Sequence, residues 1–305
     1  MQKKILVTGS AGLIGSAIIQ ELQTSGRITT QLDICAEVPV HRGDVRDLQT
    51  VTQAMAGCSG VIHLAAVSRV LWGEQNPRLC WETNVRGTEN VLMAASRMNP
   101  KPWVIFSSSR EVYGHSQSLP VTEDAPLAPV NIYGRSKVEG EDLVNEARTK
   151  GLTTAIVRFS NVYGSTSDHS DRVVPAFARA AALGQPLRVD GPEHVFDFNH
   201  LDDTVQGLAA LVQTLEQGAK DLLPIHFVTG VPTTLGELAA MAIELSQSKS
   251  TTTLSPPRSY DVGRFVGNPD RAKELLGWTP QVGIRDGMER LIQDFQQLER
   301  KGSAA

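Results

Sequence analysis

Thr8-Gly9-Ser10-Ala11-Gly12-Leu13-Ile14-Gly15 is the stretch on which the reading of this chain turns. It follows the short β-branched-rich run Ile5-Leu6-Val7 and opens an apolar periodicity over residues 13–22 that ends near Gly26. The spacing therefore predicts a strand, a tight turn and a helix. Glycine is needed in such a turn where the backbone bends sharply, where it approaches a pyrophosphate and where helix and strand pack closely. The helix N-terminus offers free N–H groups and a positive dipole end to the phosphates. A second predicted strand, 28–32, ends at Asp33. A carboxylate there accepts hydrogen bonds from the adenosine ribose hydroxyls and repels a 2′-phosphate, which favours NAD over NADP. Asp44-Val45 is placed to meet the adenine, although a loop acid is as often merely solvated.

The alternation continues outward from this turn. A helix is predicted around 51–55, strands at 61–64, 103–106 and 154–157, and helices at 84–98 and 133–149. Strands alternating with helices imply βαβ units and a parallel sheet covered on both faces. After Gly164 the pattern changes, with helices predicted at 173–183, 201–215, 235–245 and 270–276, a short strand at 187–189 and an edge strand at 225–228. The expected fold is α/β, a doubly wound parallel (Rossmann) sheet with a smaller C-terminal α/β substrate lobe. Residues 1–164 should bind the dinucleotide, with 198–229 returning to them. Residues 165–197 and 230–305 should form the second lobe, and the substrate should lie between the two.

Composition narrows the function. The 305 residues are 41% hydrophobic and 20% charged, ordinary for a globular chain with a full core. A net charge of -4 argues against a binder of nucleic acid, which needs a strongly basic face. Cys35, Cys58 and Cys80 have no metal-like spacing, so no metal is expected, and so sparse a set suits reduced thiols in the cytoplasm. The apolar run after the basic N-terminus is too short for a signal sequence, and no run approaches the length of a membrane span.

Tyr133-Gly134-Arg135-Ser136-Lys137 places a phenol and an ammonium one helical turn apart. An ammonium that close can stabilise the phenolate and make the tyrosine a general base. Ser107-Ser108-Ser109 lies directly after the fourth predicted strand, at the sheet edge where ligands bind in open parallel sheets. A hydroxyl there can share a hydrogen bond with a substrate hydroxyl and the phenol.

Together with His63-Leu64-Ala65-Ala66, Asn84-Val85-Arg86-Gly87-Thr88 and Arg158-Phe159-Ser160-Asn161-Val162-Tyr163-Gly164, these motifs resemble the extended short-chain dehydrogenases of nucleotide-sugar metabolism. That family includes UDP-galactose 4-epimerases, dTDP-glucose 4,6-dehydratases and UDP-glucuronate decarboxylases. The resemblance runs on through Arg258-Ser259-Tyr260-Asp261-Val262 to Gly277-Trp278-Thr279-Pro280. It implies NAD as cofactor and a nucleotide-diphosphate sugar as substrate. It implies Ser109, Tyr133 and Lys137 as catalytic residues. It assigns Gly9, Gly12, Leu13, Ile14, Gly15, Asp33, Asp44, Val45, Leu64, Ala65, Ala66, Asn84, Ser107, Tyr133, Lys137 and Ser160 to the cofactor, and Ser68, Ser109, Arg110, Asn161, Arg172, Val174 and Arg258 to the substrate.

Departures from the family pattern bear on the reaction. Dehydratases carry an Asp-Glu pair at the positions of Arg110 and Glu111, so 4,6-dehydration here lacks its general acid. Glu111 remains as a candidate catalytic residue, able to take a proton from C5 or to assist loss of a C6 group. A structural contact of Glu111 with Arg110 or with a helix is the alternative. Arg110 could pair with a C6 carboxylate. Phe196 stands where the family usually has an arginine that clamps the diphosphate, leaving His194, Arg172, Arg188 or Arg264 to compensate. The expected activity is NAD-dependent epimerisation of a nucleotide-linked hexose at C4 through a 4-keto intermediate, with dehydration or decarboxylation through Glu111 as the rival. Reduction of a non-sugar carbonyl, or a binding-only regulatory role, fits the intact Ser/Tyr/Lys set and the substrate-side motifs less well. The resemblance further implies a homodimer formed by helices 84–98 and 133–149. Light scattering at micromolar concentration is expected to give twice the chain mass, and a monomer would count against it.

Overall fold

The central strands owe their position to continuous burial. The computed structural model describes residues 3–116, 118–257 and 262–302. In its first half the elements are β1 (Lys4–Thr8), α1 (Leu13–Thr24), β2 (Ile28–Leu32), α2 (Leu48–Met55), β3 (Gly60–His63), α3 (Val70–Gln75), α4 (Pro77–Trp81), α5 (Gly87–Arg97), β4 (Trp103–Ser109), α6 (Ile132–Thr149) and β5 (Thr154–Phe159). Every residue of β3, β4 and β5 is buried, as expected of strands covered on both faces.

The second half contributes β6 (Asn161–Tyr163), α7 (Val173–Ala182), β7 (Leu187–Asp190), β8 (Val195–Phe196), β9 (Phe198–His200), α8 (Leu201–Glu216), β10 (Ile225–Phe227), β11 (Thr233–Thr234), α9 (Leu235–Ser246), β12 (Thr252–Ser255), α10 (Asp270–Leu276) and α11 (Ile284–Gly302). The main sheet has six strands in the order β10-β5-β4-β3-β1-β2, and all its pairs are parallel. The chain leaves β1 toward β2 on one side and resumes with β3 on the other. The carboxyl ends of β1 and β3 are therefore the topological switch point, where open α/β sheets bind ligands.

Alternating side chains sort the core into two layers. Ile5, Val7, Ile62 and Ile105 point to one face, where α1 and α8 cover them through Ile18, Leu22, Leu208 and Leu211. Leu6, Val61, Val104 and Phe106 point to the other, covered by α2, α5 and α6 through Val51, Val91 and Val144. A third cluster joins α7, α9 and α11 through Phe177, Leu238, Met288 and Leu291.

Three expectations need correction. The serines 107–109 lie inside β4 rather than after it, because the strand keeps its pairing with β5 to the register Ser109↔Phe159. The helix expected over 84–98 is interrupted, with residues 82–86 wound as a π-helical turn before α5. Residues 270–282 do not belong with the smaller lobe, since Ala272 and Trp278 pack in the first core and the Trp278 indole N–H donates to the Asp203 carbonyl at 2.9 Å.

Asp197 ties the returning segments together. Its buried carboxylate accepts from Thr229 N and Oγ1, Gly230 N and Gly267 N at 2.8, 2.8, 2.8 and 3.3 Å. Buried donors left without an acceptor cost roughly 1–3 kcal/mol each, partly relieved by relaxation. Asp197→Ala is expected to lower unfolding free energy by about 3–5 kcal/mol in urea titration, and Asp197→Asn, which keeps one acceptor oxygen, by clearly less.

Candidate active site

At the first turn, Gly9 has φ +69, and a side chain there would strike Ala65 N at 2.7 Å. A Cβ on Gly15 would lie 2.1 Å from the Gly9 carbonyl oxygen. Only bare backbone lets α1 approach β1 and β3 so closely. Gly12 caps α1 without any side-chain hydrogen bond, so the N–H groups of Leu13 and Ile14 begin the helix without a side-chain acceptor. The Ser10 hydroxyl is buried beside them without a partner. An uncapped helix start, an orphaned buried hydroxyl and a surface that any Cβ would fill suit a pyrophosphate. Asp33 follows β2, and its carboxylate accepts from Ala11 N at 3.0 Å and Cys35 N at 2.7 Å, which fixes it beside the turn with lone pairs to spare for a ribose.

The other cofactor-side residues divide. Leu64 and Ala65 are held by Thr8, through its carbonyl and hydroxyl, at the end of β3, and Ala66 is half-buried next to them. Asp44 is gripped by Arg46 through bonds of 2.5 to 3.1 Å, which holds its carboxyl below the usual range. Val45 is buried in the second core layer against Gly87. Asn84 clamps the loop after β3, accepting from Val67 N at 2.7 Å and donating to the Ser136 hydroxyl at 2.9 Å. The Ser160 hydroxyl donates to the Asp197 carbonyl.

The catalytic set converges at the carboxyl end of β4. Tyr133, Lys137 and Ser109 are 9%, 3% and 8% exposed. Lys137 Nζ donates to the Ser107 carbonyl at 2.8 Å and lies 5.7 Å from the centre of the Tyr133 ring. Burial pushes the phenol up to about 12, while the Ser109 hydroxyl facing it and the Arg172 guanidinium pull it down and Glu111 pushes it further up. Lys137 is itself drawn down to about 8 by burial.

Glu111 is held on both oxygens. One carboxylate oxygen pairs with Arg110 Nη2 at 2.9 Å, and the other accepts from Asn131 Nδ2 at 2.8 Å. Asn131 in turn caps α6, accepting from Gly134 N at 2.8 Å. Glu74 accepts from Ile132 N at 2.9 Å, so two carboxylates fasten the start of the helix that carries Tyr133 and Lys137.

Residues of α3, α7 and the loops beside them lie around this set. Arg172, at the start of α7, faces Asp168 at 3.6 Å, and Arg69 grips Asp171 with two bonds of 2.5 and 2.9 Å. The Trp72 ring meets His169 edge-on, with centroids 4.8 Å apart. Asn161 accepts from Arg110 Nε at 3.4 Å, and Ser68 is half-buried on the loop leading into α3. The Val174 side chain is buried in the third core cluster with Phe177 and Leu238. Arg258 lies outside the described residues.

The sequence profile described as the NAD dependent epimerase/dehydratase family matches residues 5–228. The chain belongs to that family. A UDP-glucose 4-epimerase of Lactobacillus helveticus is 27% identical to it over 91% of this chain and 92% of its own. A UDP-glucose 4-epimerase of Thermotoga maritima with UDP-glucose superposes with a TM-score of 0.89 at 25% identity, over 97% of this chain and 99% of that one. MoeE5, in complex with UDP-glucuronic acid and NAD, superposes with a TM-score of 0.87 at 27% identity, over 97% and 99% of the two chains.

Within this epimerase/dehydratase framework, sequence reasoning missed Asn131, which caps α6 and holds Glu111, and Glu74, which accepts from Ile132 N. The cap carried a signal, an asparagine just ahead of the helical periodicity, and Glu74 carried none. The buried His63, which bridges the hydroxyls of Thr8 and Thr88 at 2.7 and 3.0 Å, is held down to about 3 by burial and stays neutral.

Lys137 is an ammonium below about pH 8 and loses its proton above it. If the ammonium serves the reaction, kcat/KM falls about tenfold per pH unit above that point. A pH–rate profile should show this limb, and Lys137→Arg, which cannot deprotonate in this range, should remove it even at a lower rate.

Proposed function

We propose that this protein is an NAD-dependent nucleotide-sugar 4-epimerase. The observation that carries the reading is the pairing of both Glu111 carboxylate oxygens beside an assembled Tyr133, Ser109 and Lys137. A carboxylate held on one oxygen by a guanidinium and on the other by a helix-capping asparagine already has a structural part to play in the site. Glu111 then acts as a positioning residue, and what remains is the equipment for oxidation at C4.

Tyr133 takes the proton of the C4 hydroxyl as a phenolate, the form that Lys137 and the positive nicotinamide ring of bound NAD would favour against the effect of burial, and Ser109 holds that hydroxyl and the phenol together. Lys137 keeps a positive charge under the site and, with its Ser107 bond, fixes the register of α6 against β4. The turn at Gly9–Gly15 and Asp33 would hold NAD, which would supply the acceptor for the C4 hydride and the donor that returns it to either face of the ketone. Burial of the phenol keeps water from the 4-keto sugar while it turns. The UDP-sugars in the comparison structures and the names of the relatives support a UDP-linked substrate.

The reading divides the chain into a cofactor lobe of residues 3–164, 198–229 and 268–282, and a substrate lobe of the remainder. It includes a homodimer through α5 and α6, supported by the exposed Leu79 and Trp81 on the adjoining α4. Free thiols at Cys35, Cys58 and Cys80 suit the cytoplasm, and no helix among the described residues is long and apolar enough to cross a membrane.

The holoenzyme is incubated with UDP- and dTDP-linked hexoses and hexuronates and the products are followed by NMR. Interconversion of C4 epimers without mass change is expected. Tyr133→Phe should slow turnover about 10²–10⁴-fold, whereas Glu111→Gln should slow it less and leave the product the same. Loss of water or carbon dioxide, abolished by Glu111→Gln while C4 oxidation persists, would replace this reading with a dehydratase or decarboxylase.

A further inference from the structure

The two positions at which this sequence departs most from its family pattern touch each other. The Arg110 guanidinium carbon sits 4.7 Å from the centre of the Phe196 ring and 6.0 Å from that of Phe265. Its side chain is 12% exposed. Nη2 is taken by Glu111 at 2.9 Å and Nε by Asn161 at 3.4 Å, while Nη1 is buried without a partner.

We propose that Arg110 recognises an anionic group on C6 of the sugar, so that the substrate is a nucleotide-linked hexuronate in preference to a neutral hexose. The inference rests on the 4-epimerase reading above. Arg110 directly follows Ser109, whose hydroxyl faces the Tyr133 phenol. Its guanidinium is thus tied to the reacting end of the substrate site. It lies two strands across the sheet from the glycine turn that suits the cofactor pyrophosphate.

The chemistry of the orphaned donor selects the ligand. A dry guanidinium with a free N–H is unfavourable unless an acceptor completes it, and a charged acceptor completes it best. The planar fork matches a carboxylate, and aromatic rings at its faces hold it in one orientation. Glu111 cannot supply the missing contact, because its second oxygen is held by Asn131 at 2.8 Å. Arg172, a guanidinium that acts on the phenol, adds positive charge from the start of α7. A neutral hydroxymethyl group would accept one hydrogen bond but leave the ionic demand unmet. Phe196 thereby gains a reason. An arginine at 196 would repel Arg110, whereas a phenyl ring supports it.

The test compares kcat/KM of the holoenzyme for UDP-glucuronate and UDP-galacturonate with that for UDP-glucose and UDP-galactose, in wild type, Arg110→Met and Arg110→Lys, alongside binding of UDP alone. Wild type is expected to favour the hexuronates by about 100-fold or more, in line with a charge-assisted contact. Arg110→Met should lose at least about 30-fold more on hexuronates than on hexoses, with Arg110→Lys between the two. Binding of UDP should change by less than about threefold. A wild type that prefers the hexoses, or an Arg110→Met that weakens both sugar classes alike, overturns the inference and leaves the epimerase reading standing. Weakened UDP binding in Arg110→Met would assign the guanidinium to the diphosphate and likewise overturn it. If no UDP- or dTDP-sugar in the panel is epimerised, the epimerase reading fails and this inference falls with it.

Discussion

The close approach of three backbones at Gly9, Gly15 and Ala65 is the constraint on which the rest depends. At 2.1 Å from a would-be Cβ on Gly15 to the Gly9 oxygen, one methyl group is more than the contact can hold. Keeping it bare brings the N-terminus of α1 against the carboxyl ends of β1 and β3 at the switch point of the sheet. That placement orients the helix amides toward a phosphate, and it leaves the carboxyl end of β4 one strand further on for the reacting groups.

Holding the reacting groups is a separate problem, solved with polar contacts inside the fold. Helix α6 presents Tyr133 and Lys137 on a face that also buries Gly134, Ser136, Gly140 and Glu141. A face so poor in large apolar groups gains little from hydrophobic burial. Its position instead depends on Asn131 and Glu74 at the N-terminus and on Glu141, which Arg158 grips at 2.6 and 2.9 Å and to which Ser108 donates at 2.5 Å. Such buried pairs contribute little net stability, but breaking one leaves an uncompensated charge. The arrangement trades packing energy for a fixed orientation of the phenol. Gly140 adds the last condition, since a Cβ there would meet the Phe106 ring at 2.4 Å.

What could be read beforehand follows the same division. Elements with regular apolar periodicity, such as α1, β3, β10 and α8, stand in the sequence much as they do in space. The extension of β4 through Ser107–Ser109 was not legible, because three hydroxyl residues read as a loop and only pairing with β5 reveals a strand. Helix α11 was passed over although Ile284, Met288, Leu291 and Ile292 repeat at helical spacing, because its exposed face is crowded with charge. At the site, the motifs located Tyr133, Lys137 and Ser109 but not their surroundings. The partners of Glu111, the contact of Arg110 with Phe196 and the burial of Val174 depend on segments far apart in the chain, and no local pattern encodes them. Asp44 and Ser160 show the converse, side chains whose polar atoms already have protein partners.

The chain passes between the two proposed lobes repeatedly, after β6, around Asp197, after β10, near Gly267 and before α11. Lobes joined by many strands cannot swing about a single hinge, and the Asp197 carboxylate binds several of these crossings to one another. The segment between β6 and α7 is fastened to α3 and the residue before it through side chains. Its ties are the Arg69–Asp171 ion pair, on an aspartate whose side chain is 54% exposed, and the edge contact of Trp72 with His169. Surface ion pairs weaken with salt, and loop opening sets turnover in many enzymes. Ionic strength thus becomes a handle on how fast product leaves, independent of the proton and hydrogen transfers beneath.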